Sequence, residues 1–581
     1  SNVSNINSMF QECDSLRVLK LENFLGSKVT DVTSLFEKCK SLEVANLGLN
    51  SHLTVMGNMF NDCSNLRELR IPNLDTAAVT NMSYAFANNP KLEILEVGDN
   101  FSTESATNLS YMFANSPLVK LPLEKISPVK ATSLAGMFKN HEITEDDLAI
   151  IRTWDTSNVT NLNSLFDSCN LPETVDLSGM SFGNVGDCGN MFANNPKVRY
   201  VNVDNVTMQG GGWNLLSCLM TAQMEKIDFS KNDIAASYSR QITGTGWNIN
   251  VFPGLTNLRE FKAPNLTLNL GNPSDGFFKD SPLEVLHLGY CNSNYYYYES
   301  SNWKYSSLFS GKTKLKDAYL GGVAFKTAST NLASMFSGCT NLETWDLNNM
   351  DTTLNNSIYA MFKNCKKLTH IDLSWMKTPS VTNMSYLFNG CSSLTSFNID
   401  GFNYNQVTTI AYMFANCSSL KEIKLKIVDA PVLTNTTYLF SGDTSLETVD
   451  LTEANISLTT STSYMFNGCS SLKTLDLSYL DIAKSTNFSY MFKGCSTLEE
   501  LDLSCINSTS NANVVSMFHD CVMLKKLDIR NWQINKCTSN ISNIFTNVPA
   551  SCQIIVKDES CRTWVKARKS AFNNIVLASE L

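Results

Sequence analysis

The chain has 581 residues, 43% hydrophobic and 17% charged, and its 45 Lys and Arg against 54 Asp and Glu leave a formal net charge of −9. Mild acidity without a basic stripe argues against nucleic acid as a partner, because a binder has to displace counterions from phosphates. No apolar run approaches the roughly 20 residues a membrane span needs, and no signal peptide or initiator Met opens the chain.

Its first residues, Ser1-Asn2-Val3-Ser4-Asn5, match the interior of a later segment, Ser157-Asn158-Val159-Thr160-Asn161. The chain therefore reads as a processed or truncated piece that starts inside a repeat, with an apolar edge that upstream sequence covers. Phenylalanines mark the repeats: Phe10, Phe36, Phe60, Phe86, Phe113, Phe138, Phe166 and Phe192 first, and later Phe309 and Phe545. Between these last two an unbroken step of 26 residues joins Phe336, Phe362, Phe388, Phe414, Phe440, Phe466, Phe492 and Phe518. A fixed period of this length is the signature of a solenoid, in which each repeat buries its apolar face only against its neighbours.

Within each repeat, five residues before the marker, stands a small polar residue such as Asn81, Asn108, Asn161, Asn383 or Asn487. Its side chain can cap a helix, and the spacing predicts about two helical turns ending at Gly or Asn two residues after the marker, as at Asn88, Gly390 and Gly442. The following L-x-x-L-x-L, as in Leu472/Leu475/Leu477, predicts a short half-buried strand. The expected fold is thus an α/β leucine-rich-repeat solenoid: one long parallel sheet, short helices on the opposite wall, about twenty repeats and roughly 100 Å long.

Four stretches of this one solenoid are expected: N-terminal repeats over 1–205, irregular repeats over 206–308, regular repeats over 309–551 and a cap over 552–581. In the irregular stretch the markers degenerate to Leu216, Phe252 and Phe278. Strand halves survive there as Met224/Ile227/Phe229, Leu258/Phe261/Ala263 and Leu283/Leu286/Leu288. Its loops carry Gly-Trp pairs ending at Trp213 and Trp247, and the run Tyr295-Tyr296-Tyr297-Tyr298 followed by Trp303 and Tyr305. Amphipathic aromatics flanked by polar residues are common anchors for protein or sugar ligands, and these eight residues are the candidate binding site. The competing reading lays the tyrosines flat over the irregular repeats as a seal. In the cap, Ser560 can start a helix with Trp564, Ala567, Ala571 and Phe572 on one face.

The pattern resembles the BspA-like leucine-rich repeat proteins of bacterial and protist surfaces. Their N-x-S-x-M-F-x-x-C-x-x-L-x-x-L-D-L signature stands here as Asn487, Ser489, Met491-Phe492, Cys495, Leu498 and Leu501-Asp502-Leu503. The resemblance implies adhesion to host proteins or other cells, an extracellular or cell-surface location, and no enzymatic activity.

Two columns can mislead. Of 18 cysteines, eleven stand three residues after a marker, from Cys13 to Cys521, and no C-x-x-C pair suggests a metal. The same column admits Asn89, Ser116, His141, Asn195 and Asp443, so a small residue donating to a turn backbone explains it better than disulfides. Cys552 and Cys561, outside the column, are where a bridge would be sought first. Ten residues after the marker stand Asp346, Asp372, Asp450, Asp476, Asp502 and Asp528. Stacked acids would suit calcium, or else they bond neighbours such as Thr448, Thr474 and Ser478. N-x-S/T triplets coincide with the cap positions, so the repeat generates them whether or not the cell glycosylates proteins, and they are no evidence of a eukaryotic source. The five His are dispersed, and no nucleophile or phosphate-loop motif appears. No catalytic residue, metal or cofactor is therefore expected. The expected function is that of an adhesin or ligand-binding repeat protein that takes a protein or glycan, with a spacer or filament subunit that associates end to end as the alternative.

Overall fold

The computed structural model describes residues 3–22, 28–49, 52–182, 184–206, 223–231, 256–263, 281–288, 306–320, 330–347, 352–353, 355–477, 480–507 and 511–581. The chain forms two compact units. The first comprises Ser1–Trp247, Val251–Thr267 and Asp280–Pro282, and the second Asn248–Asn250, Leu268–Lys279 and Leu283–Leu581.

In the first unit β1 (Val18–Leu21), β2 (Val44–Leu47), β3 (Glu68–Ile71) and β4 (Ile94–Val97) pair in parallel, one repeat apart. Leu19 lies opposite Ala45, Ala45 opposite Leu69 and Leu69 opposite Leu95. After helix α1 (Glu145–Ile151), which the marker spacing did not foretell and which a Thr144 capping box starts, come β5 (Thr174–Asp176), β6 (Tyr200–Asn202), β7 (Lys226–Asp228) and β8 (Glu260–Ala263), again parallel. β7, β8 and β9 (Val285–Leu288) are the strand halves expected in the irregular stretch, with Ile227, Phe261 and Leu286 buried.

The second unit continues from β9 with β10 (Asp317–Tyr319), β11 (Thr330–Asn331), β12 (Thr344–Asp346), β13 (Asn355–Ser357), β14 (His370–Asp372), β15 (Ser396–Asn398), β16 (Glu422–Lys424), β17 (Thr448–Asp450), β18 (Thr474–Asp476), β19 (Glu500–Asp502), β20 (Lys526–Ile529) and β21 (Gln553–Val556). Helix α2 (Glu559–Arg568) and β22 (Ile575–Leu577) close the cap. Strands of two to four residues pair in short parallel sheets, the longest regular run being β18 to β22. Alternation holds as expected: in β14, Ile371 is buried between exposed His370 and Asp372.

The opposite wall differs from its prediction, being made of turns rather than helices. The residue two before each marker and the residue two after it both have positive φ, for example Tyr412 at 60° and Asn416 at 63° around Phe414. Between them, N–H groups alternate in use. Phe414 and Asn416 donate to Leu439 and Ser441 of the next repeat, while Met413 and Ala415 donate within their own turn. A helix would spend every N–H internally; here half of them tie repeats together, so each backbone donor is satisfied without helix. The polar residue at minus five likewise closes a local turn, its side chain accepting from the N–H two residues on, as Asn383 does from Ser385 at 2.9 Å. Isolated parallel bridges link that column from repeat to repeat, Asn81 to Asn108 and Asn383 to Thr409 among them.

The marker rings fill the space between strands and turns. Phe309 to Phe545 stack with centroids 5.3–6.2 Å apart, and Phe10 to Phe60 and Phe86 to Phe192 do so at 5.1–6.5 Å in the first unit. From Cys39 to Cys521 the cysteine column is a set of hydrogen-bond donors, each Sγ giving to the marker carbonyl of the preceding repeat: Cys391 to Phe362 at 3.1 Å, Cys469 to Phe440 at 3.1 Å. Ser116 Oγ and Asn195 Nδ2 do the same job at Phe86 and Phe166. Burial pushes the Cys391 thiol up to about 12. Cys552 and Cys561 are free thiols, while Cys188, which the spacing did not single out, is disulfide-bonded. Both access and thiolate character limit the reaction, so among the described free thiols Ellman's reagent should reach half-buried Cys13 before unfolding, and Cys505, half-buried but with its thiol pushed up to about 12 by burial, more slowly. Peptide mapping of the labelled native protein checks this, and early labelling at Cys391 or Cys495 would contradict it.

The cap helix begins at Asp558, whose side chain accepts from Cys561 N–H at 3.0 Å, two residues earlier than expected. It buries Cys561, Trp564 and Val565, while Ala567 and Ala571 are exposed and Phe572 lies beyond its end.

Candidate binding surface

The eight residues expected to bind ligand, Tyr295, Tyr296, Tyr297, Tyr298, Trp303, Tyr305, Trp213 and Trp247, lie outside the described residues. A second set of tyrosines, not singled out from the sequence, is brought together instead. Tyr386, Tyr412, Tyr438, Tyr464 and Tyr490 occupy the position two before successive markers, 26 residues apart. Their rings stack with centroids 4.5, 4.2, 4.2 and 4.4 Å apart and planes within 12° of parallel. Tyr359 meets Tyr386 edge-on at 5.6 Å, and Tyr84 and Tyr111 make a shorter stack in the first unit.

All five tyrosines sit at φ 59–61°. A side chain in the left-handed region costs roughly 1–2 kcal/mol, and an aromatic pair contributes about 0.5–1.5 kcal/mol beyond its area, so stacking offsets much of the backbone cost. Each ring gives its faces to its neighbours and is half-buried, which leaves edges and phenol groups at the surface. Burial, then the neighbouring phenols, raises the pKa of Tyr386 and Tyr438, so the phenols stay neutral and can both donate and accept.

What borders the ladder sets its character. On one side run Ser385, Ala411, Thr437, Ser463 and Ser489, and on the other Asn389, Ala415, Ser441 and Asn467, none of them ionisable. Lysines stand at the two ends: Lys363 Nζ lies 4.8 Å from the Tyr386 ring centroid, and Lys493 Nζ 5.6 Å from that of Tyr490. The result is a rigid, uncharged aromatic strip some 17 Å long with a positive charge at each end.

The other columns have local duties. In the acidic column Asp372, Asp450 and Asp502 accept from the N–H two residues on, Ser374, Thr452 and Ser504, at 2.8–3.0 Å. They therefore close turns after the strand, and not through Thr448 or Thr474; Ser478 lies outside the described residues. These bonds hold Asp372 and Asp450 below the usual carboxylate range. Three residues nearer the marker, basic and acidic residues alternate along the stack, pairing Arg17 with Glu43 at 2.6 Å and Lys525 with Glu499 at 2.7 Å. Of the histidines, His287 bonds Asp317 and His370 bonds Ser396, each at 2.6 Å, on the strand face. His141 Nε2 meets the Phe113 carbonyl in the core at 2.7 Å, as the other members of the cysteine column do. Among the described residues no helix is long and apolar enough to cross a membrane.

Solved structures similar to the chain include TLR13 in its complex with ssRNA13, at 15% identity over 97% of this chain and 90% of that one, with a TM-score of 0.31. Others are a leucine-rich cell surface protein of Faecalibacterium prausnitzii (14%, 43% of this chain and 79% of that one, TM-score 0.19) and a leucine-rich repeat protein of Bacteroides ovatus (16%, 72% and 82%, TM-score 0.21). No curated protein matches the chain. Residues 1–51, 49–150, 123–210, 330–448 and 434–557 match the family described as Mycoplasma protein of unknown function, DUF285. With its repeats matched on both sides of the irregular stretch, the chain belongs to that family.

Proposed function

We propose that the protein is a ligand-binding repeat protein of a cell surface, an adhesin in the manner of the BspA-like proteins, and that the tyrosine ladder is where it grips a protein partner. The observation that carries this reading is the stack itself. Five phenols are held in place by one another, so contact with a partner orders no further side chain, and tyrosine supplies both apolar area and a hydrogen-bonding tip. A neutral strip with small polar borders suits a protein surface better than an acidic polymer, which would need cations along the strip and not only at its ends. The aromatic loops at Tyr295–Tyr298, Trp303, Tyr305, Trp213 and Trp247 belong to the same reading as a second contact.

Asparagine tests this without disturbing the backbone, because Asn58, Asn190 and Asn543 occupy the same left-handed position in other repeats. Tyr412→Asn, Tyr438→Asn and Tyr464→Asn together should lower capture of host-cell matrix proteins at least tenfold. Stability should change little, since relief at the backbone balances the lost stacking. Undiminished capture by a folded triple variant would remove the ladder from the site. Light scattering decides the spacer alternative: growth of particle mass with concentration, without ligand capture, would favour it.

A further inference from the structure

We infer that the C-terminal end of the second unit holds a tetrahedral oxyanion, a phosphate or sulfate group, between the last marker turn and the end of α2. In the turn before it, Ser516, Phe518 and Asp520 donate their N–H groups to the carbonyls of Ser542, Ile544 and Thr546, at 2.9, 3.1 and 3.0 Å. The next turn repeats this geometry, with Asn543 and Asn547 at φ 57° and 62° around Phe545. There, however, the chain turns into the cap instead of supplying another row of carbonyls. The N–H groups of Asn543 and Phe545, the counterparts of the donors at Ser516 and Phe518, have no backbone or side-chain acceptor among the described residues. Left-handed turns of this kind gather N–H groups into anion-binding concavities.

The cap puts positive charge over that opening. A cavity of about 300 Å³ lies between Ile541, Asn543, Phe545 and Thr546 of the turn and Arg568 and Lys569 of the helix end. The Arg568 guanidinium is fixed: its carbon is 4.2 Å from the Trp564 ring centroid, and Nη1 donates to the Trp564 carbonyl at 3.2 Å. Lys569 Nζ donates to the Phe545 carbonyl at 3.4 Å and to that of Val548. Among the described residues neither cation meets a carboxylate, whereas Arg562 on the same helix is paired with both Glu559 and Glu580. Partial burial lowers the Arg568 pKa, yet a guanidinium keeps its charge. Donors without a charged acceptor, arranged around a cavity, select a ligand that only accepts. Arginine's planar fork suits two oxygens of one phosphate or sulfate.

Inorganic phosphate is the probe. Added to the whole chain, it should raise the Tm saturably above sodium chloride of equal ionic strength, and calorimetry should show one site per chain. Arg568→Gln and Lys569→Gln should each weaken that affinity tenfold or more. No saturable effect in the native protein overturns the proposal whatever the variants do, and so does unchanged affinity in both folded variants. A sulfated disaccharide in a parallel titration separates the sources: tighter binding than the free ion assigns the site to an esterified glycan, and weaker binding to the free anion. Crystals grown in phosphate should place the ion within hydrogen-bond distance of Arg568 and of Asn543 N–H, and an empty cavity at saturating phosphate would contradict it.

Discussion

Replacing Phe440 with alanine should lower the stability of the second unit by about 3–5 kcal/mol, the usual cost of removing a fully buried phenylalanine. Its ring is wholly shielded from solvent and stacks between Phe414 at 6.0 Å and Phe466 at 5.5 Å. Rigid stacking prevents collapse into the space left behind, because each neighbouring ring is fixed by the turn of its own repeat. Those turns also share hydrogen bonds: Phe440 receives its acceptor from Met465 and gives its carbonyl to Cys469. In a repeat array, loss at one position weakens the coupling on both sides, so the urea transition should broaden as well as shift. The same substitution at Phe10, whose ring is half-buried and among the described residues stacks only on Phe36, should cost clearly less. Equal losses at the two positions would mean that the stack does not act as a cooperative column.

Much of this architecture was legible because the repeat period places like residues on top of one another. The parallel strands at Leu475, Leu501 and Leu527, the left-handed residues after each marker, and the donor role of the cysteine column all follow from that one spacing. The wall of turns was not read correctly, for a physical reason. Apolar residues at minus four, minus one and zero satisfy helical periodicity as well as they satisfy a turn, and a single repeat does not reveal that its N–H groups find acceptors in the next one. Two signals pointed to turns. Asparagine recurs before the marker, at Asn58, Asn190 and Asn543, as well as after it, and two left-handed residues four apart cannot both belong to a helix. The tyrosine ladder keeps the same 26-residue step as the phenylalanines, but under a helical reading its members fall on the solvent face and have no reason to touch. In the acidic column the reading of aspartates that bond neighbouring Ser and Thr holds at Ser374, Thr452 and Ser504, and only the partners Thr448 and Thr474 do not, because side-chain capping of the residue two ahead is a local event that stacking arguments do not see.

Changing Asp443 to asparagine should stabilise the second unit at neutral pH, by about 1.4 kcal/mol for each pH unit over which the folded chain has to hold a proton that the unfolded chain releases. Asp443 stands in the cysteine column with no exposed surface, its Oδ1 accepting from Cys417 N–H at 2.8 Å and its Oδ2 without a partner. Asn89 shows what that position requires. Its Oδ1 accepts from Cys63 N–H at 2.8 Å, and its Nδ2 donates to the carbonyls of Phe60 and Phe86, both at 2.9 Å. In Asp443 the second oxygen takes the donor's place against the corresponding carbonyls of Phe414 and Phe440, so only the protonated carboxyl can fit. Desolvation accordingly drives its pKa well above the carboxylate range, against the lowering effect of the Cys417 N–H; the flanking thiols of Cys417 and Cys469 are raised in turn by burial and by Asp443. The folded state therefore keeps a proton that the unfolded chain releases near pH 4, and between the two pKa values stability falls as pH rises, by about 1.4 kcal/mol per pH unit. Below the unfolded value the two proteins should differ little, and above the folded value the slope vanishes while the deficit of the native chain persists. Urea denaturation of both proteins from pH 4 to pH 8 reads this directly: the asparagine variant should lose the downward slope. A native chain whose advantage or deficit relative to the variant stayed constant across that range would mean that Asp443 does not carry the proton the column demands of it.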